Sequence, residues 1–322
     1  MSNPEAAAAI PALVEAGLLP AEEAPRLLRV ARGELVSVHQ ELRALLYAGV
    51  LLLTAGVGLL VKENLDRIGP LAIALALALA AAAALGWALR VAPPFSWQAT
   101  PSPNLAFDYI LLLGLLLAAA DLGYCEARFG LLGDHAPLHL LIVAALAGAA
   151  AVRCDSRVAF SLALSSFAAW RGVSLARAGT AVLTSAGEIR WNAIACGALF
   201  LVLGACLVQF RRKPHFEPVA VHLGCLLVLG ALASGIFEGG GAGPAWAVAL
   251  LLAGGALAAA GWKARRFPLF AYGFLATYAA VTRLLGGLGV LAQALGCLWF
   301  AGSSVAVVAL LLVAHRQLKR AA

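Results

Sequence analysis

The chain has 322 residues, of which 63% are apolar and 12% charged, with a formal net charge of +7 and a mean hydropathy of +0.93. This composition leaves too few polar side chains to cover a water-soluble globule of that length, so a soluble globular protein is excluded. The composition predicts instead a protein that crosses a membrane several times.

The first 41 residues are expected to form a small cytosolic helical hairpin. Pro4 follows a potential capping residue, Asn3, and Gly17 can end the first helix. The second helix is expected to start at residues 20–23. Its apolar residues are spaced by three and four residues and lead into the first membrane span: Leu28, Ala31, Leu35, Val38, Leu42 and Leu45. This seam either closes the hairpin on itself or contacts a second copy of the chain or a protein partner.

Residues 42–322 are expected to form an all-α transmembrane domain. Ten apolar runs of roughly 17 to 25 residues, the length that crosses a bilayer core as a helix, follow one another along this part of the chain. Helices are expected because lipid offers the backbone no hydrogen-bond partners. The predicted spans are 42–61, 69–90, 105–124, 137–152, 157–175, 191–210, 217–237, 244–262, 267–284 and 288–314.

The polar stretch KENLDRIGP, at residues 62–70, is expected to connect the first two spans on the outer side. One interpretation is structural: Asn64 ends the first helix, and Asp66 or Gly69 caps a helix that has Pro70 in its first turn. The other is that the stretch lines an outward-facing vestibule that binds a ligand. The candidate binding residues are Glu63, Asn64, Asp66, Arg67, Asp121, Arg171 and Arg283, and Glu238 is among the other polar residues near the outer helix ends.

Three segments near the N-terminus carry a family resemblance. They are AGLLPAEEAPRLL in the hairpin, YAGVLLLTAGVGLL in the first span, and ENLDRIGP before an Ala/Leu-rich second span. Together these segments, within the first 90 residues, resemble the bacterial family of membrane proteins called domain of unknown function 2157 (DUF2157). Asn64 and Asp66 match the family's Asn-Trp-Asp, with Leu65 in the place of Trp. The resemblance implies a helical fold and a bacterial inner membrane, and it implies no chemistry.

The motif GDHAPLH offers a weak candidate metal site. His135 and His139 are four residues apart, a spacing that puts two imidazoles on one face of a helix, and Asp134 lies beside them. Pro137 interrupts that turn, and the chain has no H-E-x-x-H motif. The six cysteines include no C-x-x-C pair, so neither zinc nor disulfide bonds are expected, and no cofactor is implied.

Two features bear on a transporter-like architecture. Residues 69–87 and 243–262 both begin with Gly-Pro and end with Gly-Trp, which suggests a parallel repeat in which the first two spans resemble the seventh and eighth. Broken helices often form transporter sites, and the glycines at 254–255 and at 286, 287 and 289 are the expected places for such breaks.

The basic residues predict the orientation. If the N-terminus is cytosolic, 16 of the 23 basic residues fall on the cytosolic side and 7 on the outer side, so both termini are expected to be cytosolic. The cytosolic set is Arg26, Arg29, Arg32, Arg43, Arg90, Arg153, Arg157, Arg211, Arg212, Lys213, Lys263, Arg265, Arg266, Arg316, Lys319 and Arg320. These side chains are expected to meet anionic lipid headgroups, and no nucleic-acid partner is expected.

Three function classes follow from these patterns. A transporter-like or lipid-handling permease fits the number of helices and the polar residues near helix ends. A membrane scaffold, sensor or complex subunit fits the cytosolic hairpin, through which the chain would contact a partner or a second copy. A membrane enzyme fits least, because the sequence has no G-x-S-x-G motif, no paired acids at mid-depth and no zinc motif. The expected location is the bacterial inner membrane.

Overall fold

The computed structural model describes residues 4–17, 19–20, 22–31, 39–178, 186–238, 241–287 and 293–320. These residues form helices and contain no strand, so the expected all-α class is confirmed. Two 3-10 turns, Gly133–His135 and Pro214–Phe216, accompany twelve helices. The helices are α1 (Pro4–Glu15), α2 (Ala24–Ala31), α3 (His39–Ile68), α4 (Pro70–Val91), α5 (Leu105–Phe129), α6 (Leu138–Cys154), α7 (Arg157–Ala178), α8 (Ala186–Gln209), α9 (Glu217–Gly235), α10 (Gly243–Lys263), α11 (Phe267–Gly287) and α12 (Gln293–Arg320).

The chain divides into two compact units, residues 1–64 and 65–322. In the first unit, α1 and α2 pack together as a hairpin. The chain turns between them at Gly17, whose φ of 69° is a conformation that favours glycine. Ile10 is buried, whereas Leu13 is 41% exposed and Leu27 is 37% exposed. Most of the expected seam from Leu28 to Val38 lies outside the described residues.

Helix α3 extends further than the sequence predicts. It continues to Ile68, so residues 62–68 form its last two turns instead of a connection, and Asn64 does not end it. The connection to α4 is Gly69 alone, with a φ of 79°, and no side chain caps α4. Lys, Glu and Leu are good helix formers, so this polar stretch stays helical until Gly69 and Pro70 stop it. The prediction that Asp66 caps α4 is therefore wrong, while the placement of Gly69 and Pro70 is confirmed.

In the second unit, consecutive helices pack as four hairpins: α4 with α5, α6 with α7, α8 with α9, and α10 with α11. The pairs are antiparallel, as α8 and α9 illustrate. A Cβ added to Gly197 would lie 2.7 Å from Val228, and one added to Gly204 would lie 3.3 Å from Val221. Residue numbers that increase along α8 therefore face residue numbers that decrease along α9. Helix α12 is also antiparallel to α11. Side-chain hydrogen bonds join Tyr278 to Ser303 and Trp299 to Thr282.

Helix α10 is continuous through Gly254 and Gly255, where the sequence predicts a break. Gly254 instead lets α11 approach closely, because a Cβ added there would lie 2.9 Å from the carbonyl oxygen of Gly273 and from Thr277. A Cβ on the adjacent Gly255 would touch nothing within 4 Å. Small residues at such contacts bring helix backbones together in membranes. Gly286 and Gly287 lie in the last turn of α11, and Gly289 lies outside the described residues.

Within the described residues, six helices are long and apolar enough to cross a membrane by length and composition: 70–91, 106–129, 187–209, 214–235, 243–263 and 267–287. Two shorter apolar helices cover 44–60 and 138–154. Each of the ten predicted spans overlaps one of the helices α3 to α12. Helix α4 shows the pattern of a lipid-facing span: Ile73, Leu77 and Ala81 are buried on one stripe, while Leu75 and Leu79 are exposed on the other side.

Candidate functional site

Four connections of the second unit lie at one end of its helices, here called the basic end. They are residues 92–104, 155–156, 210–216 and 264–266. Side chains tie them together: Asp155 bonds to Thr100, Lys213 and His215, and Arg266 pairs with Glu217. Nine basic residues lie in or beside these four connections, namely Arg90, Arg153, Arg157, Arg211, Arg212, Lys213, Lys263, Arg265 and Arg266.

Asp155 is the centre of a buried polar cluster at the basic end. One carboxylate oxygen, Oδ1, accepts hydrogen bonds from Lys213 Nζ and His215 Nε2, each at 2.7 Å. The other oxygen, Oδ2, accepts from the backbone N–H and the hydroxyl of Thr100, at 2.5 and 2.9 Å. A single carboxylate thus joins the end of α6, the turn before α9 and the connection between α4 and α5.

The cluster is almost fully removed from solvent. The side chains of Asp155 and Lys213 are 5% and 3% exposed, and that of His215 is 10% exposed. Burial alone would raise the pKa of Asp155, but hydrogen bonds from Lys213 and Thr100 and the charge of His215 outweigh it, so the pKa is lowered from its usual value. Asp155 is therefore held as a carboxylate. Among the described residues, His215 Nδ1 has no hydrogen-bond partner.

Two members of the cluster adopt left-handed backbone conformations that are uncommon for residues other than glycine. Asp155 has a φ of 57° and Lys213 a φ of 51°. Such residues cost about 1 to 3 kcal/mol each and occur often at functional sites. Asp155 ends α6 in a Schellman motif, in which the N–H of Ser156 donates to the carbonyl oxygen of Ala151 at 3.2 Å. The strained turn places the carboxylate toward Lys213.

The non-helical segment 92–104 is fastened to this end at three points. Arg153 Nη1 donates to the carbonyl oxygen of Pro93 at 2.8 Å, and Lys213 N donates to that of Trp97 at 3.0 Å. The third point is Thr100 on Asp155. Between these points the segment holds Phe95 and Trp97 half-exposed, and their rings meet edge to face with centroids 4.9 Å apart. The guanidinium of Arg212 lies 5.0 Å from the centroid of the Trp97 ring.

A second polar cluster lies at the opposite end of the same unit. Arg190, in the first turns of α8, pairs with Glu238 at 2.6 Å, and Trp246 Nε1 donates to the same carboxylate oxygen at 2.8 Å. The Arg190 guanidinium also lies 4.8 Å from the centre of the Trp246 ring. Arg283 Nε donates to the carbonyl oxygen of Ile236 at 2.8 Å. These contacts join α8, α9, α10 and α11.

Three of the predicted vestibule residues, Asp121, Arg171 and Arg283, have described side chains, and each has its own contacts. Asp121 accepts a hydrogen bond from the thiol of Cys125 within α5. Arg171 is exposed, lies over the neighbouring Trp170 ring and interacts with the thiol of Cys196. Arg283 donates a hydrogen bond to the carbonyl oxygen of Ile236, just after the end of α9. The side chains of Glu63, Asn64, Asp66 and Arg67 lie outside the described part of the structure.

The two histidines of the weak metal candidate do not share a helix. His135 is exposed in the 3-10 turn, whereas α6 begins at Leu138 after Pro137, and His139 Nδ1 lies 2.6 Å from the carbonyl oxygen of Ala136. A spacing of four residues puts two imidazoles on one face only within a continuous helix, so the expectation that His135 and His139 share a helical face is wrong here. The described side chains form no group of three His, Cys, Asp or Glu residues that could hold a metal ion; the Asp134 side chain is not among them.

Sequence reasoning does not single out the Asp155 cluster. In the sequence, Lys213 is one of several basic residues expected to meet lipid headgroups. His215, two residues later, belongs to no recognisable motif. The available signal is Asp155 itself, since an acid within RCDSR is an exception among the arginines and lysines of this end. Its partners lie about 55 to 60 residues away in sequence, so no local pattern identifies them.

These observations define an all-helical membrane protein with several candidate spanning helices and a polar cluster at each end of its larger unit. Residues 11–160 match the family described as predicted membrane protein DUF2157, so the resemblance seen in the N-terminal segments is confirmed. The match extends past the first two spans and includes Thr100 and Asp155. Neither curated proteins nor solved structures gave a match to the chain.

Proposed function

We propose that the protein is a lipid-handling permease of the bacterial inner membrane, with both termini in the cytosol and no enzymatic activity. One observation carries the proposal: the hairpin of α8 and α9 has an ion pair at each end, and the contacts at the two ends reach different neighbours. The pair at the basic end is buried, whereas Glu238 in the other pair is 37% exposed. At the basic end, Lys213 pairs with Asp155 of the α6/α7 hairpin. At the other end, Arg190 and Glu238 are bridged to α10 by Trp246.

Buried ion pairs are weak sources of stability, because the cost of removing two charges from water can exceed their attraction. Ion pairs at both ends of one hairpin, the one at the basic end buried, favour a role as latches that hold alternative states. Breaking one pair while the other stays closed would let the hairpin tilt and open one side of the membrane at a time. Alternating access of this kind is largely a rigid-body movement of helix groups.

The chemistry of the basic end supports lipid as the substrate class. Arg212 lies over the half-exposed Trp97 ring there, and Arg211 beside it is exposed, which is the composition of a surface that attracts anionic headgroups. The carboxylate of Asp155 is occupied by four hydrogen bonds, which supports a latch over a general base.

Lipid handling can be tested in proteoliposomes that contain fluorescent phosphatidylglycerol. Dithionite destroys the label in the outer leaflet only, so loss of the protected fraction reports transbilayer movement. The wild-type protein is expected to accelerate this loss relative to protein-free vesicles. The double variant Asp155→Asn/Lys213→Met, which removes the latch without leaving a lone buried charge, is expected to change the rate several-fold.

A matched control removes an exposed ion pair at the same end. The double variant Glu217→Gln/Arg266→Gln breaks a contact whose arginine is 50% exposed, and it is expected to leave the rate unchanged. Failure of the wild-type protein to accelerate lipid movement would overturn the proposed function. Equal effects of the two double variants would overturn the latch.

A second candidate function is a scaffold or sensor that acts through the N-terminal hairpin. The exposed leucines Leu13 and Leu27 favour it, because apolar side chains left open on a small helical pair can contact a protein partner or a second copy. Crosslinking between copies through cysteines placed at residues 13 and 27 would support a homo-oligomer. If the double variant Leu13→Ser/Leu27→Ser has the same particle size in detergent as the wild-type protein, and the cysteine variants form no crosslinks, the hairpin does not join copies.

A further inference from the structure

We propose that Arg212, Trp97 and Phe95 form a binding site for the phosphate-containing headgroup of an anionic phospholipid. The site does not depend on lipid movement, since a protein that only anchors or senses lipid could also carry it. The phosphate would meet the Arg212 guanidinium, and the two aromatic rings would contact the glycerol and upper acyl region.

The position of the site supports a lipid as the occupant. Phe95 and Trp97 follow the end of the candidate span 70–91, and Arg212 lies between the candidate spans 187–209 and 214–235. All three therefore lie just beyond the apolar part of their helices, at the level where headgroups meet the hydrocarbon. Tryptophan is enriched at this level because its ring is largely apolar and its N–H is polar.

The exposure of the rings also needs an explanation. Phe95 is 47% exposed and Trp97 is 46% exposed, although the backbone that carries them is fixed at Pro93, Trp97 and Thr100. A segment held so firmly could bury these rings if packing were their only role. It instead presents them at a fixed place, so little conformational freedom is lost when a ligand binds.

The charge at the site is suited to a phosphate. Arg211, Arg212 and Lys213 are consecutive, but Lys213 is buried and neutralised by Asp155. Arg211 and Arg212 are exposed, and Arg212 is held against the Trp97 ring at 5.0 Å by a cation–π contact. The planar guanidinium is thus pre-positioned beside an apolar surface, an arrangement that favours a phosphate attached to a lipid over a free phosphate ion.

The experiment titrates the purified full-length protein in neutral maltoside detergent with dioleoyl phosphatidylglycerol, and separately with dioleoyl phosphatidylcholine. Native mass spectrometry counts the bound lipids. Phosphatidylglycerol is expected to bind tighter than phosphatidylcholine, and Arg212→Gln is expected to weaken its binding about fivefold, the effect of losing one cation near a headgroup. Trp97→Leu is expected to weaken the binding of both lipids, because it removes the ring that packs on Arg212.

Arg157→Gln is the matched control, since Arg157 is another exposed arginine at the basic end but belongs to neither the segment 92–104 nor the connection 210–216. It is expected to leave the affinity unchanged. An equal loss in Arg157→Gln and Arg212→Gln would show that the lipid meets a diffuse basic surface and would overturn the site. Equal affinity of wild type and Arg212→Gln would also overturn it, as would displacement of the lipid by millimolar inorganic phosphate. Unchanged melting temperatures confirm that each variant is folded.

Discussion

At the residue scale, Asp155 has the largest structural consequence for a single side chain. Its carboxylate holds three separate parts of the chain, and its left-handed backbone is stabilised by the fold around it. Asparagine also tolerates this backbone conformation. The substitution Asp155→Asn therefore removes the negative charge and leaves the turn intact, so it isolates the electrostatic contribution.

We expect Asp155→Asn to lower the free energy of unfolding by about 3 kcal/mol at pH 7, because it leaves Lys213 buried without a counter-charge. The pKa of Asp155 is lowered in the folded state, so its contribution is complete above the unfolded pKa of about 3.9 and is lost as the pH falls through the lower folded value. Thermal melts from pH 7 to pH 3 should show the two proteins converging in acid. Glu15→Gln, at an exposed position, is the control, and a gap that is constant with pH would contradict the ion pair.

At the element scale, three helices end in the same way. Helices α6, α8 and α10 each finish in a Schellman motif with a charged residue in the left-handed position, namely Asp155, Arg211 and Arg265. Glycine normally takes this position, because it has no Cβ to clash. The charged residues indicate that something other than the turn selects them: at Asp155 it is the buried cluster, and at the arginines it is the charge of the basic end.

Replacing Arg265 by glycine should therefore stabilise the protein. The left-handed conformation costs arginine about 1 to 2 kcal/mol. The greater conformational freedom of glycine in the unfolded chain offsets about 0.5 to 1 kcal/mol of that relief, so a gain between about 0 and 1.5 kcal/mol in the free energy of unfolding is expected. Arg266→Gly is the adjacent control. It gains nothing from backbone strain and loses the contact with Glu217, so its melting temperature should fall. The same direction of change in both variants would contradict the argument.

Gly254 and Gly255 provide a second adjacent pair. Gly254→Ala places a methyl group 2.9 Å from the backbone of α11 and should force α10 and α11 apart at a cost of about 1 to 3 kcal/mol. Gly255→Ala meets nothing within 4 Å and should be neutral or slightly stabilising, because alanine favours a helix. Melting in detergent compares the two variants. If the melting temperature of Gly254→Ala equals that of the wild-type protein, α10 and α11 are not in close contact at this position.

These elements also show what a sequence can predict here. Apolar runs as long as a bilayer is thick predict the helices, because lipid imposes both length and composition. The same rule does not fix where a helix ends in water, so the end of α3 at Ile68 was missed. Likewise Gly254 permits either a break or a close contact, and only its partner across the interface, Gly273, decides between them. Asp155 meets its partners through tertiary structure, which the local sequence does not record.

At the scale of the larger unit, the charges are unequally divided between the two ends. Among the described side chains, the basic end carries eleven lysines and arginines, including Arg316 and Lys319 of α12, whereas the other end carries Arg128, Arg171, Arg190 and Arg283. Three of those four contact protein groups: Arg190 pairs with Glu238, Arg283 donates to the carbonyl oxygen of Ile236, and Arg171 lies over the Trp170 ring. Ion pairs also engage Lys213 and Arg266 at the basic end, and the larger positive charge remains there. Basic residues near span ends remain in the cytosol during insertion, so the basic end is expected to face it.

This orientation can be measured with single cysteines at two exposed arginines, one at each end. In a background in which the six native cysteines are replaced, Arg128→Cys should react with a membrane-impermeant maleimide in intact spheroplasts. Arg211→Cys should react only after the membrane is opened, because its side chain is expected to face the cytosol. Both variants remove one arginine from an exposed site, so each controls for the effect of the other on expression. Labelling of residue 211 in intact spheroplasts, with residue 128 protected, would reverse the topology and place the Asp155 cluster and the proposed headgroup site in the outer leaflet.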